Sequence, residues 1–202
     1  MMMLMLYTRK GDRGTTKFFS AKGGFASGGD SEKERRVSKA SCNTEALGAL
    51  DELNSFLGFV KVGAKSGDIQ VPGSSVKFSE VLHGVQENLF IVQAEAAGSP
   101  DKKISEIKVK EAEMIVDAIE KEIPSITGFS ISGGTSLSAL LDTARAMSRK
   151  TERRIVALAE SGDRDMSEHT RSYMNRLSSL LFALARYVNH KAGVKEQNPS
   201  YK

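Results

Sequence analysis

Apolar residues recur every three or four positions through most of the chain after about residue 43, which is the spacing of one face of an α-helix. Five stretches show this period, and segments containing glycine or proline separate them. The stretches are Ala46–Val60, Phe78–Ala96, Val109–Ile119, Leu137–Leu158 and Met174–Val188. The pattern therefore predicts five helices.

Capping and breaking residues set the expected ends of these helices. Asn43 or Thr44 is the expected N-cap of the first helix, because short polar side chains accept hydrogen bonds from the first free backbone N–H groups. The second helix is expected to stop at Gly98–Pro100, the third before Pro124, and the last near Gly193.

Length and composition favour packing these helices into one domain. The chain has 202 residues, 40% of them hydrophobic, and its four prolines leave room for long helices. Long helices with short connections pack side by side with crossing angles of about 20°. We therefore predict an all-α, up-and-down five-helix bundle over residues 41–193, with an arm and loop over residues 1–40 and a tail over residues 194–202.

Charge and cysteine content narrow the class of protein. The formal charge of +4 is too small to indicate a broad nucleic-acid-binding surface. The single cysteine, Cys42, excludes an internal disulfide and favours a reducing compartment. The apolar start Met1–Leu6 is too short to span a bilayer, so we expect a soluble, cytoplasmic protein. His83, His169 and His190 lack the spacing of a metal site.

A row of charged residues flanks the apolar stripe of the fourth helix, which is expected to span about residues 136–160. Arg145, Arg149, Glu152 and Arg153 form this row. Guanidinium groups bind phosphate oxygens through two hydrogen bonds and keep their charge, so the row indicates a site for a polyanion. A salt-bridged helix face exposed to solvent is the alternative interpretation.

The last helix carries a second face that is neither purely apolar nor purely solvent-like. Asn175, Ser179, Phe182 and Arg186 lie opposite its apolar stripe. Such a mixed face is typical of a subunit contact or a ligand site, although a lone exposed phenylalanine is the simpler interpretation.

The N-terminal arm has the composition of a phosphate-binding loop. Gly11 and Gly14 let the backbone curl, so that successive N–H groups can converge on an anion. Hydroxyl donors and cations surround these glycines, and they are Thr8, Arg9, Lys10, Arg13, Thr15 and Thr16. The spacing is not that of a Walker A motif. Residues 21–34, with two Gly-Gly pairs, are expected to form a flexible loop.

Six motifs cover nearly the whole chain, and they occupy residues 8–16, 36–39, 45–58, 133–135, 144–156, and 173–178 with 181–189. Together they resemble the motifs of the PduO-type ATP:cob(I)alamin adenosyltransferases, and they occur in that family's order. The resemblance implies a ferritin-like five-helix bundle with a flexible N-terminal ATP-binding arm, assembled as a homotrimer that holds ATP between neighbouring subunits.

The activity implied by this resemblance is transfer of the 5′-deoxyadenosyl group of ATP to the cobalt of cob(I)alamin, forming adenosylcobalamin and releasing triphosphate. Mg²⁺ would bridge phosphate oxygens. A cobalamin reductase and an adenosylcobalamin-dependent enzyme are the implied protein partners. Because Co(I) is itself a strong nucleophile, the reaction needs no side-chain nucleophile or activating base.

The resemblance also implies roles for residues of this chain. ATP binding would fall to Thr8, Arg9, Lys10, Gly11, Asp12, Gly14, Thr15, Thr16, Lys39, Arg149, Lys150, Glu152, Arg153 and Asn175. Arg149, Asp51 and Arg145 would be the catalytic residues, and a salt bridge between Arg145 and Asp51 would support the active site. The position of Asp51 beside the apolar stripe of the first helix predicts that it is partly buried. Phe129 and Phe182 would lie against the corrin.

Three questions stay open at this point. Glu152 would either orient the neighbouring arginines or meet the ribose hydroxyls. A non-enzymatic function is the first alternative, in which the chain is a helical trimer that binds ATP and corrinoid as an escort or sensor. A helical nucleic-acid-binding protein is a further alternative, but Glu152 and Asp142 interrupt the basic row that it needs.

Overall fold

The computed structural model describes residues 10–17 and 36–201, and that part of the chain is mainly helical. Its elements are β1 (Thr15–Lys17), β2 (Arg36–Ser38), α1 (Cys42–Lys65), α2 (Phe78–Ala96), α3 (Glu106–Glu120), α4 (Ser136–Glu160) and α5 (Glu168–Lys191). The predicted all-α, five-helix architecture is confirmed. Thr8, Arg9 and the predicted flexible loop over residues 21–34 lie outside the described residues.

The helices pack around α4 and α5. α2 packs on α1, α1 on α4, α4 on α5, and α5 on α3. A buried threonine ties α4 to α1, because the Thr151 hydroxyl donates to the Ala49 carbonyl oxygen at 3.1 Å. Leu141, Ile155 and Leu158 of α4 are buried in the same core, as the apolar stripe predicts.

The helix starts follow the capping rule, with one correction. Ser41, rather than Asn43 or Thr44, is the N-cap of α1, and its hydroxyl accepts from the Thr44 backbone N–H at 3.4 Å. Asn43 lies within the first turn and is buried. Thr135 caps α4 by accepting from the Ser138 N–H at 3.1 Å, so α4 spans the predicted residues.

A short two-stranded ribbon in the arm was not predicted. β1 pairs with β2 in antiparallel register, with Thr16 opposite Val37. Three-residue strands carry too little periodicity to be distinguished from a loop in the sequence. The ribbon joins α1 directly, because the Thr44 hydroxyl donates to the Ser38 carbonyl oxygen at 3.0 Å.

The residues after α5 fold back onto the bundle. The Ile131 N–H donates to the Gln197 carbonyl oxygen at 2.8 Å, and the Glu196 carboxylate lies 2.8 Å from the Arg186 guanidinium. Arg186, which the sequence places on the second face of α5, is 3% exposed. The buried guanidinium requires carboxylate partners, and the tail supplies one of them.

None of the helices among the described residues is long and apolar enough to cross a membrane.

A buried carboxylate on α2 holds the start of α5. Glu95 is 4% exposed and accepts hydrogen bonds from the Ser167 N–H at 2.7 Å and from the Thr170 hydroxyl. Ser167 is the N-cap residue of α5, where free N–H groups and the helix dipole favour a negative charge. Nearby, Asn88 donates to the hydroxyl of Tyr173 at 3.1 Å, and burial raises the pKa of Tyr173 to about 12.

We predict that Glu95→Ala destabilises the protein by about 2–4 kcal/mol, because it leaves buried donors at the start of α5 without an acceptor. Thermal unfolding should then occur roughly 5–15 °C lower. Glu87→Ala is the matched control, since Glu87 is exposed on the same helix. Equal melting temperatures for the two variants would show that the Glu95 contacts contribute nothing to stability.

Candidate functional site

A cleft of about 320 Å³ lies along α4 and α5. Its lining residues are Arg149, Glu152, Arg153, Val156, Ala157, Glu160 and Asn175. Four of these were predicted as site residues, and the structure brings them together. The volume is at the lower end of the range for small-molecule sites, roughly 300–1,000 Å³.

Helical geometry explains why the α4 residues share one wall. Residues three and four apart lie on the same side of a helix, so Arg149, Glu152 and Arg153 project together. On the opposite side of α4, Thr151 and Ile155 are buried in the core. The two guanidinium groups are exposed, which leaves them available to a ligand.

Asn175 on α5 completes the wall by bonding to Glu152. Its Nδ2 donates to Glu152 Oε1 at 2.8 Å. Among the described residues, the Glu152 carboxylate forms no ion pair with Arg149 or Arg153. The structure therefore does not support orientation of the arginines by Glu152, and it leaves the second carboxylate oxygen for a ligand.

Two other cations of α4 face α1 instead. Lys150 Nζ lies 2.8 Å from Glu52 Oε2, and Arg154 Nη2 lies 3.3 Å from Glu45 Oε2. The prediction that Lys150 stands beside the other ATP-binding residues is therefore not met within one chain, since it does not line the cleft. These pairings engage Lys150 and Arg154 with carboxylates of α1, which disfavours a continuous nucleic-acid track along α4.

The predicted salt bridge between Arg145 and Asp51 does not form within the chain. Asp51 is exposed rather than partly buried, and Arg145 Nε lies 3.5 Å from Asp142 Oδ1. Asp142 is 4% exposed and also pairs with Arg186 at 2.5 Å. The sequence contained a signal for the first contact, because Asp142 and Arg145 are three residues apart on one helix. It contained none for the contact with Arg186.

The two predicted corrin-facing phenylalanines have different surroundings. The Phe182 ring is half-buried, with the guanidinium carbons of Arg186 and Arg145 at 5.0 Å and 5.9 Å from its centroid. Such contacts are favourable, since a cation is attracted to the face of an aromatic ring. Phe129 is 80% exposed in the loop before the Gly133–Gly134 turn.

A clasp that the sequence did not reveal holds that turn. Asn189 near the end of α5 accepts from the Thr135 N–H at 3.1 Å and donates to the Gly133 carbonyl oxygen at 2.9 Å. Glu196 from the tail accepts from the same amide at 2.8 Å. A Cβ on Gly134 would lie only 2.5 Å from the Asn189 oxygen, so glycine is required there.

The arm forms its own compact turn. Arg36 on β2 donates to the Thr15 hydroxyl at 2.8 Å and to the Lys10 carbonyl oxygen. Gly14 adopts a φ of 71°, a left-handed conformation that favours glycine. Lys39 covers the turn, because its ammonium would lie 3.1 Å from a Cβ placed on Gly11. Predicted site residues of the arm are thus brought together by hydrogen bonds within the arm.

The comparisons with known proteins agree with the implied family. The sequence profile named "Cobalamin adenosyltransferase" matches residues 6–188. The corrinoid adenosyltransferase of Bacillus subtilis is 35% identical over 194 residues, which cover 95% of this chain and 90% of that protein. The corrinoid adenosyltransferase PduO of Citrobacter freundii is 31% identical over 195 residues, covering 94% of this chain and 51% of that protein.

The fold comparison leads to the same group of proteins. A solved variant of the PduO-type ATP:corrinoid adenosyltransferase from Lactobacillus reuteri, complexed with cobalamin and ATP, is similar with a TM-score of 0.78. The two sequences are 26% identical, and the match covers 97% of this chain and 99% of that chain.

We predict that Gly134→Ala destabilises the protein by about 2–3 kcal/mol, because it clashes with Asn189 and places a side chain at a φ of 103°. Gly84→Ala is the control: it lies in α2 with nothing within 4 Å of the added Cβ, and it should raise stability by about 0.5–1 kcal/mol. Chemical denaturation of both variants measures the difference. Unchanged stability of Gly134→Ala would contradict the clasp.

Proposed function

The chain belongs to the cobalamin adenosyltransferase family, and we propose that the cleft between α4 and α5 holds the ATP whose adenosyl group this enzyme transfers to cobalamin. One observation carries the proposal: Arg149, Arg153, Glu152 and Asn175 line the same cleft. Two cations and a carboxylate–amide pair side by side match the two polar parts of ATP, which are its triphosphate and its ribose.

The arginines would hold the triphosphate. Arg149 and Arg153 are exposed and, among the described residues, neither is paired with a carboxylate. Guanidinium groups bind phosphate oxygens through paired N–H donors, so both are ready to do so without breaking an existing ion pair. Lys39 and the Gly11–Gly14 turn would contribute an ammonium and backbone N–H groups from the arm.

Glu152 and Asn175 would hold the nucleoside. Glu152 Oε1 accepts from Asn175 Nδ2, while Oε2 remains able to accept from a hydroxyl. The amide nitrogen has a second N–H for a ligand acceptor. A ribose hydroxyl both donates and accepts, so it is complementary to this pair.

The reaction itself requires alignment and charge stabilisation more than acid–base chemistry. Cobalt in its reduced Co(I) state supplies the electron pair that forms the Co–C bond to C5′ of ATP. The C5′–O bond breaks, and its electrons leave with the triphosphate. Negative charge therefore grows on the phosphate end, where Arg149 and Arg153 are already in place.

The corrinoid would approach from the loop that carries Phe129. The exposed Phe129 ring is suited to contact a large flat macrocycle, and the clasp around Gly134 fixes the end of its loop. Phe182 would lie deeper, under the guanidinium groups of Arg145 and Arg186. Supply of Co(I) requires a reductant, so a cobalamin reductase and an enzyme that uses adenosylcobalamin are the proposed protein partners.

The arm over residues 1–40 would close the nucleotide site above the bundle of residues 41–193, with residues 194–202 as a tail. Lys10, Asp12, Thr15 and Thr16 lie in or beside the glycine turn of this arm. Arg36 bonds to the Thr15 hydroxyl and the Lys10 carbonyl oxygen within the arm, and Ser38 joins the ribbon to the first turn of α1. A ligand or a second subunit would join the arm to an α4 cleft.

A homotrimer would bring these parts together. Asp51, Ser55, Phe59 and Val62 are exposed along one stripe of α1, and large exposed apolar side chains of this kind favour burial against another subunit. The same stripe carries Asp51, so packing it on a neighbour would offer this carboxylate an arginine such as Arg145. We propose that ATP lies at such an interface between neighbouring subunits.

Mg²⁺ would enter with the nucleotide. Among the described residues, no group of three or more His, Cys, Asp or Glu side chains could hold a metal ion. Mg²⁺ commonly keeps several waters and binds through substrate phosphates with few protein ligands, which is compatible with this chain. When bound, it would neutralise part of the triphosphate charge beside Arg149 and Arg153.

We predict that Arg149→Ala lowers kcat/KM for adenosyl transfer by about 100-fold or more, because it removes a cation from the leaving triphosphate. The measurement is the absorbance change on Co–C bond formation with ATP and chemically reduced cobalamin. Arg154→Ala is the matched control, since it removes an equal charge from the same helix outside the cleft. It should stay within about threefold of the wild type.

Similar activities for Arg149→Ala and Arg154→Ala would contradict the proposal that the cleft binds ATP. The melting temperatures of both variants serve as a folding control, and we expect them to be unchanged because both side chains are exposed.

A further inference from the structure

A row of four side chains connects the cleft to the third helix. Asn175 Nδ2 donates to Glu152 Oε1 at 2.8 Å, and Arg176 Nη1 donates to Asn175 Oδ1 at 2.9 Å. Arg176 Nε in turn donates to Glu113 Oε1 on α3 at 2.8 Å. The row therefore spans α4, α5 and α3, and only its first two members line the cleft.

The chemistry of these groups fixes which way the Asn175 amide faces. An ionised carboxylate only accepts hydrogen bonds, and a guanidinium only donates them. An amide between the two must therefore point its oxygen at Arg176 and its nitrogen at Glu152. Without Arg176, the amide oxygen would lose this donor, and the hydrogen bond to Glu152 would be left to hold the amide.

We propose that Arg176, held by Glu113, is a positioning residue that fixes the Asn175–Glu152 pair for recognition of the ribose hydroxyls of ATP. The inference rests on the proposed nucleotide site. With the amide fixed, the cleft offers the second Asn175 N–H and Glu152 Oε2 to the sugar. An amide held at its nitrogen alone could swing away from Glu152, and the pair that meets the ribose would then be lost.

A purely structural role does not account for this arrangement. Arg176 and Glu113 are 46% and 40% exposed, and exposed ion pairs contribute little to folding stability. A second exposed pair, Lys110 with Glu106 at 2.6 Å, lies within α3, and neither residue lines the cleft. It provides a matched control for any general effect of removing an ion pair from this helix.

The test compares steady-state kinetics of the full-length protein with ATP, 2′-deoxy-ATP and 3′-deoxy-ATP. Arg176→Ala should raise KM for ATP by about fivefold to tenfold, with a smaller change in kcat and no change in melting temperature. Its preference for ATP over the deoxynucleotides should fall by a similar factor. Glu113→Ala should shift both quantities in the same direction by less, and Lys110→Ala should shift neither.

A double-mutant cycle shows whether Arg176 acts through the amide. Asn175→Ala alone should raise KM for ATP, and adding Arg176→Ala to it should then cause no further loss. Additive effects of the two substitutions would overturn the inference, as would an unchanged deoxynucleotide preference in Arg176→Ala. Both results leave the nucleotide site in place, provided that Asn175→Ala impairs ATP use. If Asn175→Ala has no effect at all, the proposed nucleotide site and this inference fail together.

Discussion

The position of α4 between α1 and α5 decides which of its charged side chains can reach a ligand. Thr151 is buried against α1, and Ile155 lies in the core, so the rotation of α4 is fixed. Lys150 then points to Glu52 on α1, whereas Arg149 and Arg153 face the cleft beside α5. Arg149 and Arg153 are therefore the α4 cations that line the cleft.

The turn before α4 is held by a network in which buried charges are compensated. Asp142 and Arg186 are almost fully buried and pair with each other, and Glu196 from the tail supplies the second carboxylate. The same glutamate bonds to Asn189, which clasps the Gly133 carbonyl oxygen at the turn before α4. Because unpaired buried charges are costly, this network ties the tail, the Phe129 loop and the start of α4 into one unit.

The sequence was sufficient for features that are local along the chain. The apolar period located α4, and helical spacing put Arg149 and Arg153 on one side. Contacts between helices were not predictable, because they depend on how each helix is rotated against its neighbour. For that reason the sequence led us to expect an Arg145–Asp51 pair, whereas Arg145 lies beside Asp142 within the chain. The contact between Glu196 of the tail and Arg186 was missed for the same reason.

The central claim is that one ATP molecule contacts both the arginines of the cleft and its carboxylate–amide pair. A crystal structure of the protein with ATP and Mg²⁺ tests this claim most directly. The account predicts triphosphate oxygens within hydrogen-bonding distance of Arg149 and Arg153. It also predicts the ribose hydroxyls against Glu152 and Asn175. Nucleotide bound elsewhere, with only water between α4 and α5, would contradict it.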